Sequence, residues 1–192
     1  MMNIDTPLLL STLFFIVFLS QVAPINALAP PAEVIIGAQF PLHKVARYNF
    51  IEDGGGRRRL AAFLLAVDQI NDKNDGFYDD LLPNTVIKFA KYDSKRNEGE
   101  AVVNAFYIWE KAQAKVAIGP ASSGPSKQSQ SVFKLSHVNI PQVSYSATSS
   151  QLSDASASPM FMRTAPSDVY QAEIMVSTAE LQGWTKLCVM VR

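Results

Sequence analysis

Short apolar runs alternate with longer segments of helical periodicity from about residue 34 to the last residue, Arg192. The apolar runs, bounded by Gly, Pro and polar residues, predict strands at 34–40, 85–93, 115–119, 139–146, 160–165 and 186–191. The periodic segments predict helices at 58–71, 97–114, 123–136 and 167–183. Between the first strand and the first helix, 41–56 reads as a loop. This alternation predicts an α/β fold, a doubly wound and mostly parallel sheet with helices on both faces.

One strongly apolar block precedes this pattern, "PLLLSTLFFIVFL" at residues 7–19. A membrane-spanning helix needs about 20 apolar residues, so this block is short for a span. It fits the apolar core of a secretory signal peptide, and the small residues near "INALA" are suited to cleavage. We therefore expect residues 1–29 to be a signal peptide and residues 30–192 to form the folded region.

Composition and motifs exclude several classes of protein. Lys plus Arg equals Asp plus Glu, 17 each, so no excess of positive charge favours nucleic acid or an anionic membrane. The single cysteine, Cys188, excludes an internal disulfide and a multi-cysteine zinc site, and its apolar surroundings predict that it is buried. The two histidines suggest no catalytic triad, and no hydrolase or metal motif is present. The sequence therefore predicts neither an enzyme nor a cofactor.

Polar segments follow the predicted strands, where ligands bind in doubly wound sheets. In "GGGRRRL", three arginines precede a helix, where positive charge opposes the helix dipole. These arginines therefore indicate a site that binds a ligand carboxylate, and for Arg57 and Arg58 the alternative is a solvated basic turn. In "GPASSG", Ser122 or Ser123 can cap the next helix, and the free N–H groups there favour an anion; the alternative is an ordinary N-cap turn without a ligand.

Two further segments carry hydroxyl and acidic side chains. In "SYSAT", Ser146 and Thr148 are two residues apart, so in an extended chain their side chains point to one side. Together with the backbone between them, they can bind the carboxylate and the ammonium of a zwitterion. The alternative is a solvated loop. Asp168, at the start of the last helix, is either an ordinary helix-end acid or the counter-ion of a ligand amine.

Several segments, in their order along the chain, resemble the extracellular ligand-binding domain of class C G-protein-coupled receptors. "GAQFPLH", "RRRLAAFLLAVDQIN", "GPASSG", "IPQVSYSATSSQLSD" and "FMRTAPSDVYQAEIMV" carry the resemblance, which is closest to metabotropic glutamate receptors. "YDSK" and "GEA" lean towards the γ-aminobutyric acid B branch. The resemblance covers about residues 34–192. It implies the first lobe of a Venus flytrap of the type I periplasmic-binding-protein fold.

The resemblance implies roles for five residues. Ser123, Ser146, Thr148 and Asp168 match positions that hold the α-carboxylate and α-amine of an amino acid, and Arg59 matches an arginine that reads the distal carboxylate. Where vertebrate-type receptors carry a cysteine soon after the second strand, this chain has "YDSKR".

The resemblance also implies an incomplete first lobe at 30–192 and an extracellular or secreted location. It implies attachment to the membrane only through a further C-terminal region, and pairing of first lobes as homo- or heterodimers. Two alternatives share the fold: a solute-binding protein that delivers amino acids to a transporter, and the ectodomain of a cyclase-linked receptor.

Overall fold

The computed structural model describes residues 31–46, 49–186 and 188. The chain divides into two units, Met1–Pro31 and Ala32–Arg192, and all of the described helices and strands belong to the second unit. The predicted signal peptide lies outside the described residues, as does most of the predicted strand at 186–191. Within the described ranges, no helix is long and apolar enough to cross a membrane.

A five-stranded parallel sheet forms the centre of the second unit, in the order β4-β1-β5-β6-β7. The strands are β1 (Glu33–Phe40), β2 (His43–Ala46), β3 (Asn49–Glu52), β4 (Val86–Asp93), β5 (Val116–Ile118), β6 (Gln142–Ser144) and β7 (Phe161–Arg163). The helices are α1 (Gly54–Asn71), α2 (Glu98–Phe106), α3 (Ser123–Phe133) and α4 (Asp168–Leu181). β1 pairs with β4 on one side and β5 on the other, so the order of the strands reverses at β1. The predicted doubly wound α/β fold is confirmed.

Alternate residues of β1 face different helices. Phe40 packs against Phe63 of α1, with ring centroids 5.6 Å apart. Gly37 lies against Ile108, just beyond α2, and Gln39 bonds to Ser129 of α3. Because successive side chains of a strand point to opposite faces, helices cover both faces of the sheet.

The predicted loop at 41–56 is wrong in two respects. β2 and β3 pair antiparallel as a hairpin, and α1 begins at Gly54 rather than near residue 58. The carboxylate of Asp53 accepts hydrogen bonds from the N–H groups of Gly55 and Gly56, and this cap starts the helix early. Gly56 is required there because a Cβ atom would lie 1.8 Å from the carbonyl oxygen of Pro41.

The other elements follow the prediction with shorter bounds. The predicted helix at 97–114 is α2 followed by one π-helical turn, Tyr107–Lys111, and the strand predicted at 139–146 has only three residues. The last helix stops before Gly183 as predicted, with φ of +66° at that glycine. Cys188 is exposed, so the prediction that it is buried is wrong.

A polar network lies inside the fold, between α3 and the sheet. Its members are fully or almost fully buried side chains of glutamine and serine: Gln39, Ser126, Ser129, Gln130, Gln142 and Ser144. The amide of Gln142 donates to the carbonyl oxygens of Gly119 (2.9 Å) and Ser126 (3.4 Å). Gln130 donates to the Gln142 carbonyl at 3.2 Å. These bonds satisfy polar groups that would otherwise be costly to bury.

α4 is the opposite case, because only Ala179 of its fourteen residues is buried. Large apolar side chains along it are exposed to solvent: Val169, Tyr170, Ile174, Met175, Val176 and Leu181. They lie on several sides of the helix, which has no polar face.

Candidate functional site

The loops that follow β1, β5 and β6 meet at the carboxyl edge of the sheet. Gly119, directly after β5, has φ of +85°, and a Cβ atom there would lie 2.2 Å from the carbonyl oxygen of Gln39. Ser144, the last residue of β6, donates its hydroxyl proton to the carbonyl oxygen of Pro120 at 2.7 Å. These contacts hold the three strand ends close together next to the point where the strand order reverses.

Ser123 and Ser146 join the loop after β5 to the loop after β6. Ser123 is the first residue of α3, and its Oγ accepts hydrogen bonds from the N–H groups of Thr148 (3.2 Å) and Ser149 (3.1 Å). Ser146 donates its hydroxyl proton to the carbonyl oxygen of Ala121 at 2.9 Å. Ser123 therefore retains a proton to donate, and Ser146 retains lone pairs that can accept.

Asp168 is held to the same loop through its backbone. Its N–H donates to the carbonyl oxygen of Thr148 at 2.9 Å, at the first residue of α4. The Asp168 side chain is exposed, and within the described part of the chain the Thr148 hydroxyl has no hydrogen-bond partner. Ser123, Thr148 and Asp168 thus form a continuous series of contacts.

Arg59, on α1, contacts the ring of Tyr145, which directly precedes Ser146 in the chain. Its Cζ lies 5.7 Å from the centroid of the Tyr145 ring, a cation–π geometry. Tyr145 donates its hydroxyl proton to the carbonyl oxygen of Gln39 at 3.1 Å and stacks on Phe40. Burial raises the pKa of the Tyr145 phenol and outweighs the opposite effect of the positive charges of Arg59 and Arg96, so the ring is neutral.

The three consecutive arginines have different surroundings. Arg57 forms an ion pair with Glu52, Arg58 is exposed, and Arg59 is half-buried against the Tyr145 ring. No carboxylate in the described ranges forms an ion pair with Arg59, so its charge is available.

Sequence reasoning missed three residues at this edge, Tyr145, Asp53 and Arg96. Tyr145 stands in the hydroxyl-rich segment "SYSAT", but only the fold shows that it lies beneath Arg59. Arg96 donates to the Asp53 carboxylate at 2.6 Å. Burial alone would raise the pKa of Asp53, but hydrogen bonds from Arg96 and from two backbone N–H groups hold it below its ordinary value of 3.8.

The edge therefore presents two kinds of polar group. Hydroxyls and a carboxylate lie at Ser123, Ser146, Thr148 and Asp168, and a guanidinium lies beyond the Tyr145 ring at Arg59. Such an arrangement can hold a zwitterion and a second anionic group. No group of His, Cys, Asp and Glu side chains within the described ranges could hold a metal ion.

A cavity of about 690 Å³ lies away from this edge, between α1 and β4. Two of its polar side chains are already engaged. The amide of Asn71 bonds to the backbone of Ile87 through both its nitrogen and its oxygen, and Lys88 pairs with Glu33. We therefore take the carboxyl edge of the sheet, rather than this cavity, as the candidate binding site.

Residues 58–192 match the family described as "Receptor family ligand binding region". The chain belongs to this family. All five predicted site residues lie within the matched range. Human metabotropic glutamate receptor 8 is 29% identical over 178 residues, which is 79% of this chain and 19% of the relative. Rat metabotropic glutamate receptor 4 is 28% identical over 185 residues, 83% of this chain and 20% of the relative.

A plant relative is similar to the same degree. Glutamate receptor 3.1 of Oryza sativa subsp. japonica is 32% identical over 166 residues, 84% of this chain and 15% of the relative. The chain thus spans a fifth or less of the length of these curated relatives. The resemblance to metabotropic glutamate receptors is confirmed over most of the chain, and these relatives are receptors rather than enzymes.

Proposed function

We propose that this chain is an extracellular ligand-binding region that binds an α-amino acid with an acidic side chain, and that it binds this ligand without turning it over. The observation that carries the proposal is the series of contacts from Ser123 through Thr148 to Asp168, with Arg59 on the far side of Tyr145. The names of the relatives, metabotropic glutamate receptors and a glutamate receptor, support the choice of ligand class.

The hydrogen bonds already made within the site suggest which ligand group each residue meets. Ser123 accepts two backbone N–H groups, so its hydroxyl proton points outward to a carboxylate, together with the unengaged hydroxyl of Thr148. The positive end of the α3 dipole favours the same anion. Ser146 already donates its proton, so it accepts from the ligand ammonium, which also pairs with the exposed carboxylate of Asp168.

Arg59 then selects the side chain of the ligand. Its guanidinium lies beyond the Tyr145 ring, so the ring supports the aliphatic part of a ligand while the guanidinium pairs with a distal anion. A neutral side chain would leave the half-buried positive charge without a partner. This favours acidic over neutral amino acids.

These groups alone support only weak binding. One charge-assisted hydrogen bond for each of the three charged groups of the ligand contributes roughly 5–9 kcal/mol in total, and lost translational and rotational freedom removes about 4 kcal/mol or more. The balance corresponds to a dissociation constant of about 1 mM or weaker. Assays on this chain should therefore use millimolar ligand.

The test is an NMR titration of the full chain with L-glutamate, comparing the wild type with Thr148→Ala/Asp168→Ala. We expect the double variant to lose binding while its thermal unfolding midpoint stays nearly unchanged, because Asp168 is exposed and the Thr148 hydroxyl has no hydrogen-bond partner among the described residues. Glu173→Ala/Thr178→Ala is the matched control, because it removes the same kinds of side chain from two exposed positions further along α4. Wild-type affinity in the site variant, or an equal loss of stability, contradicts the proposal.

We also infer that this region pairs with a second copy. Val103, Phe106 and Tyr107, on α2 and the turn that follows, are each more than 40% exposed, although they are large and apolar. Such a patch favours association. Sedimentation equilibrium of the wild type and of Val103→Glu/Phe106→Glu tests this. A monomeric wild type contradicts the inference.

A further inference from the structure

Two consecutive residues of the loop between β4 and α2 adopt the left-handed conformation, Lys95 with φ of +48° and Arg96 with φ of +54°. This conformation is unfavourable for residues other than glycine. In this conformation the Arg96 side chain reaches Asp53, which lies 43 positions earlier in the chain. Arg96 Nε and Nη2 each lie 2.6 Å from Asp53 Oδ2. The backbone cost is thus offset by a charge-assisted pair.

Asp53 lies close to a second arginine. Its oxygen Oδ1, which caps α1, is 3.1 Å from the position a Cβ atom would take on Gly55, and Arg59 Nη1 is 3.4 Å from the same position. The carboxylate and the Arg59 guanidinium are therefore neighbours, yet only Arg96 forms an ion pair with Asp53 within the described ranges. The Asp53 side chain is only 6% exposed, so solvent reaches this carboxylate mainly through its arginine partner, whose side chain is 45% exposed.

We propose that Arg96 is the positioning residue that gives the site its preference for an acidic ligand. By occupying Asp53, it prevents that carboxylate from pairing with Arg59. The guanidinium of Arg59 then keeps its full charge and its hydrogen-bond donors for the distal anion of the ligand. This inference rests on the proposed function, because it takes Arg59 as the residue that meets the distal anion.

The neighbouring cation cannot take the place of Arg96. Lys95 Nζ pairs with Glu100 at 2.7 Å and lies 5.3 Å from the centroid of the Phe50 ring. Loss of Arg96 therefore leaves Arg59 beside Asp53 as a cation that has no ion pair of its own within the described ranges.

The first test compares the affinities of the full chain for L-glutamate and for L-glutamine, which has the same shape without the distal charge. We expect Arg96→Leu to weaken glutamate binding about tenfold and to leave glutamine binding almost unchanged. Asp53→Asn/Arg96→Leu should recover the preference for glutamate, because asparagine caps the helix but cannot neutralise Arg59. An equal loss of both ligands in Arg96→Leu, or no rescue in the double variant, overturns the inference.

A second test needs no ligand. NMR titration of Asp53 should show a low pKa in Arg96→Leu, since Arg59 replaces the lost partner, and a clearly higher pKa in Arg59→Gln/Arg96→Leu. If the Asp53 pKa rises fully in Arg96→Leu and Arg59→Gln adds nothing, the carboxylate does not move to Arg59 and the inference is wrong. If the wild type binds no amino acid, the proposed function fails and the ligand preference fails with it, and this titration then tests only whether Arg96 keeps Asp53 from pairing with Arg59.

Discussion

Replacing Gln142 with leucine should destabilise the fold strongly, although the two side chains have similar volumes. Gln142 is fully buried, and its amide donates to the carbonyl oxygens of Gly119 and Ser126 and accepts from Gln130. Leucine can make none of these bonds. It would leave the Gly119 carbonyl without this donor and the Gln130 amide without this acceptor, in surroundings that exclude water.

The magnitude follows from those two groups. A buried polar group that loses its partner costs about 1–3 kcal/mol, so Gln142→Leu should lower the free energy of unfolding by about 2–6 kcal/mol. A domain of this size has about 5–15 kcal/mol in total. With a urea m value of about 2 kcal/mol/M, the unfolding midpoint should fall by about 1–3 M.

The assay is urea unfolding followed by far-UV circular dichroism, with Gln182→Leu as control. Gln182 is exposed, so its replacement should change the free energy of unfolding by less than about 0.5 kcal/mol. In addition, Gln130→Leu/Gln142→Leu should be more stable than the sum of the single changes predicts, because both partners of one hydrogen bond are removed together. Equal midpoints for Gln142→Leu and the control would refute the importance of the buried network.

Three further predictions concern the edge of the sheet. Gly56→Ala should lower the free energy of unfolding by more than about 3 kcal/mol in urea unfolding, because its Cβ would lie 1.8 Å from the Pro41 carbonyl oxygen. Gly54→Ala is the control and should have little effect, because the space around Gly54 is open. The pKa of Asp93 is lowered from 3.8, because hydrogen bonds from a histidine and from backbone N–H groups outweigh the effect of burial. The ionised carboxylate therefore contributes its full stabilisation above pH 3.8, and this stabilisation is lost as the pH falls through the lowered pKa. Asp93→Asn should accordingly reduce the loss of unfolding free energy at acid pH, measured by urea unfolding at a series of pH values. Ser123→Ala should cost about 1–2 kcal/mol in the same assay, because two backbone N–H groups lose their acceptor at a partly exposed position where water can replace it, and no change would contradict the assigned contacts.

The five strands of the parallel sheet could be predicted because they lie in apolar runs, and strand ends in a doubly wound sheet converge whatever their side chains. That rule alone is enough to place Ser123, Thr148 and Asp168 at one edge of the sheet. The hairpin of β2 and β3 could not be predicted in this way, since all of β3 is exposed and has no apolar face to reveal it. The start of α1 was missed because glycine disfavours helices, and the compensating cap by Asp53 depends on its geometry.

Polar residues in the interior were the other feature that the sequence analysis did not identify. Glutamine usually lies at the surface of a protein, and only the packing of α3 on the sheet shows that Gln130 and Gln142 are buried and bond to each other. The pairing of Asp53 with Arg96 was invisible for a similar reason, because the two residues are far apart in sequence and meet through an uncommon backbone conformation.

The exposed apolar side chains of α4 also have a practical consequence for any experiment on the purified chain. Side chains such as Tyr170, Ile174 and Met175 are each more than 60% exposed, and each contributes surface that leaves water readily, at about 25 cal/mol per Å². The purified chain should adsorb to resins and scatter light as its concentration rises. Titrations should therefore use dilute protein and concentrated ligand, with a mild non-ionic detergent in both syringe and cell. Met175→Lys, well away from the carboxyl edge, offers a more soluble background in which to make the site variants.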